Sequence, residues 1–150
     1  MENRILVSVA ILLVSSYFAC AAYTDCGSQD GSIVDIQITN CPASSRRCTL
    51  KRNTNATMVI NFTPSTPSTS LKAVVHGLIM GVPVPFDLPN PDGCKDSGLS
   101  CPLTPGTTYK YTTTMPISTS YPRITLDIKW ELVDSDQKDV ICAQIPARIA

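Results

Sequence analysis

The chain is predicted to be all-β, an immunoglobulin-like sandwich of about seven strands. Three observations carry that expectation. Apolar and polar residues alternate in short runs, as half-buried antiparallel strands require. Clusters of Pro, Gly, Asn, Asp and Ser separate the runs at regular intervals. Outside the first residues, no stretch shows a helical period.

Residues 1–22 carry Arg4, an apolar run from Ile5 to Val14, and the small residues Ala19, Ala21 and Ala22. Charged start, short apolar core and small-residue site describe a secretory signal peptide. The run is too short to span a bilayer, which needs about 20 residues. Residues 23–150 are then expected to form a single domain.

The strands follow in order. Val34, Ile36 and Ile38 alternate with Asp35 and Gln37, and Met58, Ile60 and Phe62 alternate around Asn61. Tyr109, Tyr111 and Thr113 make a third row. The clearest row is Ile124, Leu126, Ile128, Trp130 and Leu132, set against Thr125, Asp127, Lys129 and Glu131. Val140 to Ile149 supplies a last strand, which Pro146 marks as an edge or a bulge. Asn55-Ala56-Thr57 and Asn61-Phe62-Thr63 are glycosylation sequons. Asn55 and Asn61 both fall on the polar side of their strand.

Six cysteines remain once Cys20 leaves with the signal peptide. An even number in a secreted chain reads as three disulfides. Cys41/Cys48 and Cys94/Cys101 are close enough to close small loops, which leaves Cys26 with Cys142 across the ends of the mature domain. Zinc is a poor alternative, because no CxxC pair exists and His76 is the one histidine.

Catalytic chemistry finds little to work with. There is no GxSxG, HExxH or phosphate-cradling glycine loop. Oxidised cysteines leave no thiolate nucleophile. Asp134, Asp136 and Asp139 suit a solvated turn better than an EF-hand. Twelve basic and 12 acidic residues balance to zero, without the basic stripe a nucleic acid would need. The chain reads as a binding module, with no metal and no cofactor.

What it binds is suggested by VVHGLIMGVPVPFDLPNPDGCKDSGLSC, residues 74–101. Prolines 83, 85, 89 and 91 forbid a helix and restrict the segment to an edge strand or an extended loop. Val82, Val84 and Phe86, spaced by two, face one side. An apolar row on an unpaired segment suits the wall of an apolar cavity.

The same segment resembles the Niemann–Pick C2 proteins of the ML (MD-2-related lipid-recognition) family. Val74-Val75-His76-Gly77, Gly81 to Phe86, Pro91 to Lys95, Cys101-Pro102, Tyr121-Pro122, Lys129 to Leu132 and Cys142-x-x-Ile145-Pro146 carry the likeness. The insert after Lys95 and the short C-terminus look like arthropod members. The resemblance implies a sandwich that holds a sterol between its sheets, with Phe86, Ile117 and Tyr121 lining the tunnel. Val84 and Trp130 are expected beside them. It implies a transfer surface at His76, Asp92 and Lys95, and the same three disulfides. It further implies a monomer that meets membranes transiently and hands sterol to a Niemann–Pick C1-type acceptor, in the extracellular space and the lysosomal or endosomal lumen. Carriage of fatty acids or other small hydrophobic semiochemicals, or recognition of bacterial lipid, is the alternative.

Overall fold

The computed structural model describes residues 22–42 and 44–150; the signal peptide expected over residues 1–22 lies, apart from Ala22, outside them. Nine strands, and no helix among the described residues, form two sheets. They are β1 (Thr24–Asp25), β2 (Gly31–Ile38), β3 (Cys48–Leu50), β4 (Thr54–Pro64), β5 (Leu71–Ile79), β6 (Val82–Phe86), β7 (Tyr109–Ile117), β8 (Thr125–Asp134) and β9 (Asp139–Ile149). The strands beyond the expected seven include β1 and β3, too short to show a period.

The larger sheet runs β1-β9-β8-β5-β6, and the smaller β2-β4-β7. β3 adds to β9 in parallel, on the edge that β1 also uses. The last strand is therefore interior, and its proline needs another account. β1 reaches β9 at Ala143 and Gln144, while β3 begins at Ala147. Pro146 sits opposite the break between them, where a missing N–H leaves no neighbour unpaired.

The predicted alternation sets which side chains meet between the sheets. Ile36 on β2, Met58, Ile60 and Phe62 on β4, and Tyr111 on β7 are buried from one side. Leu71, Ala73 and Val75 on β5, and Trp130 and Leu132 on β8, are buried from the other. Tyr111 and Trp130 meet across the gap with ring centroids 6.3 Å apart. Burial drives the Tyr111 phenol above its ordinary pKa, against a hydrogen bond from Thr113 that lowers it.

Three disulfides staple this frame as expected: Cys26–Cys142, Cys41–Cys48 and Cys94–Cys101. The first ties β1's end to the middle of β9 across 116 residues. In the chain-entropy account such a bridge contributes about 4–5 kcal/mol.

Candidate functional site

The Pro-rich segment is an edge strand. β6 pairs with β5 alone, joined by the two-residue turn Met80-Gly81. Both turn residues have positive φ, 51° and 79°, the geometry that lets a tight hairpin follow the twist of its strands. Gly81 takes that conformation without cost. Prolines are tolerated here because an edge strand leaves alternate N–H groups without a strand partner.

Register decides which way this strand faces. Phe86, Val84 and Val82 lie opposite Val75, Gly77 and Ile79, the inward row of β5. On β5's other side Val75 and Gly77 lie opposite Trp130 and Ile128. Gly77 thus places no side chain in the middle of the inward surface. A Cβ built there would come 3.1 Å from Leu126 Cδ1.

Around that gap lies an almost wholly apolar cavity of about 230 Å³. Its walls come from Val75, Gly77 and Ile79 on β5, Val84 and Phe86 on β6, and Met115 and Ile117 on β7. Ile124 just before β8, and Leu126 and Ile128 on it, close it on another side, with Leu50 and Ile149 from β3 and β9. Tyr121 and Pro122, in the loop after β7, and the paired His76 and Pro85 complete it. The Phe86 and Tyr121 rings meet edge to face at 5.4 Å and 64°, an aromatic corner in the wall. Beyond it the hairpin exposes Met80 at 97% and Val82 at 61%.

Four of the five residues expected to line a cavity do so: Val84, Phe86, Ile117 and Tyr121. Trp130 is corrected. Its ring is fully buried against Tyr111 and is not part of the cavity wall. β8's inward row changes character along its length. Leu126 and Ile128 are half-buried because they face the gap, whereas Trp130 and Leu132 are fully buried where the sheets close.

Leu50, Gly77, Met115 and Ile149 were not singled out from the sequence. Leu50 sits in β3, too short to show a period, and Met115 continues the Tyr109/Tyr111/Thr113 row, which says inside without saying whether inside is packed or hollow. The pattern break at Gly77 was the one available signal.

His76 lies opposite Pro85 and Lys129, and its strand position borders the cavity. Asp92 bridges to Lys72, four residues before His76 on β5, or about 13 Å along the strand. Asp92 Oδ1 accepts the Cys94 N–H, and its carbonyl accepts the Lys95 N–H. Asp92 and Lys95 therefore share one turn near the far end of β5 from the hairpin. Asn55 is exposed on β4; Asn61 is half-buried, with its amide donating to Asp35 Oδ1.

The acidic turn after β8 is a hydrogen-bonded turn. Asp134 Oδ1 accepts the N–H groups of Asp136 and Lys138 at 2.9 and 3.0 Å. Asp139, ten residues along β9 from the cavity residue Ile149, has its carboxyl pushed up to about 7. Burial is the main cause, and Glu131 adds a hydrogen bond and its charge, while Lys129 opposes them.

The family model described as ML domain matches residues 21–149. The chain belongs to the ML-domain family. It is 44% identical to the ecdysteroid-regulated 16 kDa protein of Manduca sexta, over 95% of this chain and 97% of that protein. It is 42% identical to the NPC intracellular cholesterol transporter 2 homolog a of Drosophila melanogaster, over 92% of this chain and 99% of that one. The crystal structure of a Niemann–Pick type C2 protein from Japanese carpenter ant superimposes with a TM-score of 0.83 at 34% identity, covering 86% of this chain and 99% of that chain. Within the ML family the chain thus groups with the Niemann–Pick C2 proteins, as its motifs suggested.

Proposed function

We propose that this ML protein is a non-enzymatic carrier that takes a sterol into the cavity behind β6. It moves the sterol between membranes or to a Niemann–Pick C1-type acceptor, in the secreted and lysosomal or endosomal compartments. The observation that carries this reading is an apolar cavity walled by Phe86, Tyr121, Ile117 and Val84. The relatives named as cholesterol transporters support sterol as the cargo. Burying a dozen ligand carbons at about 0.8 kcal/mol each yields roughly 10 kcal/mol gross. After the entropy of association that is a micromolar to nanomolar dissociation constant. The single polar end of a sterol belongs at the mouth, since the interior offers it almost no partner. The surface bearing His76, Asp92 and Lys95 is the proposed contact with the acceptor, and Asn55 the better exposed of the two proposed glycan sites.

At about 230 Å³ the cavity falls below the roughly 300–1,000 Å³ of ordinary ligand pockets, so a rigid sterol must widen it. The same size favours a second reading, a slimmer acyl chain. Native mass spectrometry of protein from its source, followed by competition between dehydroergosterol and a long-chain fatty acid, tests both. Sterol aboard and fatty acid failing to displace it supports the first reading; tight fatty-acid binding without sterol binding replaces it with the second.

A further inference from the structure

A cavity that must widen needs a part that yields, and the hydrogen bonds around its mouth single one out. Tyr121 and Pro122 belong to the loop between β7 and β8, and they contribute to the wall from outside any strand. A turn bond from Tyr121 N–H to Ser118 carbonyl, 3.2 Å, shapes that loop from within. From outside it is held by Arg52, in the turn between β3 and β4. Nη1 of Arg52 donates to the carbonyls of Thr119 at 3.1 Å and Tyr121 at 3.3 Å.

The base of that arm is anchored. Arg52 N–H donates to the Ala150 carbonyl at 2.8 Å, and Asn53 N–H to the Ile117 carbonyl at 2.7 Å. Ala150 N–H in turn donates to the Leu50 carbonyl at 3.0 Å. The turn is therefore stitched to the ends of β7 and β9. The loop with Tyr121 is tied at its far end by Ile149 N–H donating to the Ile124 carbonyl at 2.9 Å, and around Tyr121 it is held from outside by one guanidinium nitrogen. The Arg52 Nε is buried and finds no partner among the described residues. Among the described residues, no carboxylate lies within ion-pair distance of this arginine. Carbonyls alone orient the group, and a short movement of the loop releases it.

We propose that Arg52 is a positioning residue that latches the cavity mouth, holding the Tyr121 loop shut and setting the rate at which the apolar ligand enters and leaves. The proposal rests on the carrier reading for its ligand, but the latch itself can be tested without one. Released, the loop carries Tyr121 away from Phe86, and the aromatic corner opens where the wall is not strand-bonded. A latch changes the barrier between closed and open states and acts on both directions of exchange. A residue that merely supported the fold would lower stability and affinity together.

The test uses dehydroergosterol and the full mature protein, with Trp130, the one tryptophan of the chain, as energy donor in stopped-flow mixing. Arg52→Ala should raise both association and dissociation rate constants by about tenfold, the effect of losing two hydrogen bonds of ordinary strength. The dissociation constant should move much less than either rate. Arg52→Lys keeps a charged donor on a long stem and should restore part of the slow exchange. In the ligand-free protein, hydrogen exchange of the 118–121 amides should accelerate in Arg52→Ala while that of Leu132 and Ile141 in the core holds steady. Unchanged rates in Arg52→Ala overturn the proposal. So does a fall in affinity and melting temperature without faster exchange. If Arg52→Ala does not fold, slow wild-type-like rates in Arg52→Gln, which cannot place a charged donor on both carbonyls, overturn it equally. A wild-type protein that binds no sterol defeats the carrier reading instead, and amide exchange then decides the latch alone.

Discussion

Replacing Phe86 by alanine separates a cavity wall from a packed core. Phe86 closes β6, is half-buried, and meets Tyr121 edge to face at 5.4 Å. An aromatic side chain can bury about 150–250 Å², and roughly a third of that faces a ligand when the rest is shared with Tyr121 and the strand. At about 25 cal/mol/Å² the ligand loses about 1.3–2.1 kcal/mol, a roughly 8- to 35-fold weaker dissociation constant by the usual conversion. The Phe86–Tyr121 pair itself, worth about 0.5–1.5 kcal/mol, is lost from free and loaded protein alike and cancels from binding. It does not cancel from folding. The ligand-free protein should lose about 1–2 kcal/mol, well below the 3–5 kcal/mol of a fully buried phenylalanine. Dehydroergosterol titration and urea unfolding of the ligand-free protein measure the two quantities separately. If Phe86→Ala costs the full core amount while the folded fraction binds sterol unchanged, the ring is core and β6 is not a cavity wall.

Trp130→Ala should show the opposite balance, losing about 3–5 kcal/mol of stability, because its ring is fully buried. Trp130→Phe should cost clearly less in the same urea titration, since the indole N–H has no partner to lose among the described residues. Gly77→Ala should barely change the melting temperature, because the atom its Cβ meets is the mobile end of Leu126 at 3.1 Å. It should weaken sterol binding several-fold in the fluorescence assay as that side chain is pushed toward the cavity. Asp139 gives a pH signature: burial and the neighbouring Glu131 raise its carboxyl to about 7, so the folded state holds a proton the unfolded chain has released. The stability it contributes is full in acid and is lost as pH rises from about 4 to about 7. Melting curves at pH 5 and 7.5 should therefore show a smaller drop for Asp139→Asn than for wild type, and an equal drop would remove Asp139 as the cause.

Much of the architecture was legible in the chain because strand periodicity and turn chemistry are local. Two-residue alternation placed Met58, Ile60 and Phe62, and Trp130 and Leu132, in the interior where they are buried. Cysteine spacing, with the family motifs, led to the three disulfides. Prolines 83 and 85 announced an edge strand or an extended loop, since a backbone lacking alternate donors is poorly suited to a sheet interior. Alternation says that a residue faces inward; it does not say what lies opposite. Ile128 and Trp130 stand two apart in one row, yet the first lines a cavity and the second packs against Tyr111. Only the placement of the smaller sheet and of the loop carrying Tyr121 separates them. Pro146 teaches the same point, because its tolerance inside β9 depends on β1 and β3 meeting that strand on either side of it. The hold of Arg52 on Thr119 and Tyr121 joins positions 67 and 69 residues apart, beyond anything a local pattern can encode. Sequence alone determined the longer strands and the apolar character of the interior, because both follow from neighbours along the backbone, and cysteine spacing with the family motifs determined the staples. The tertiary structure decided where that interior stays hollow, because a void exists only between surfaces that distant strands bring face to face.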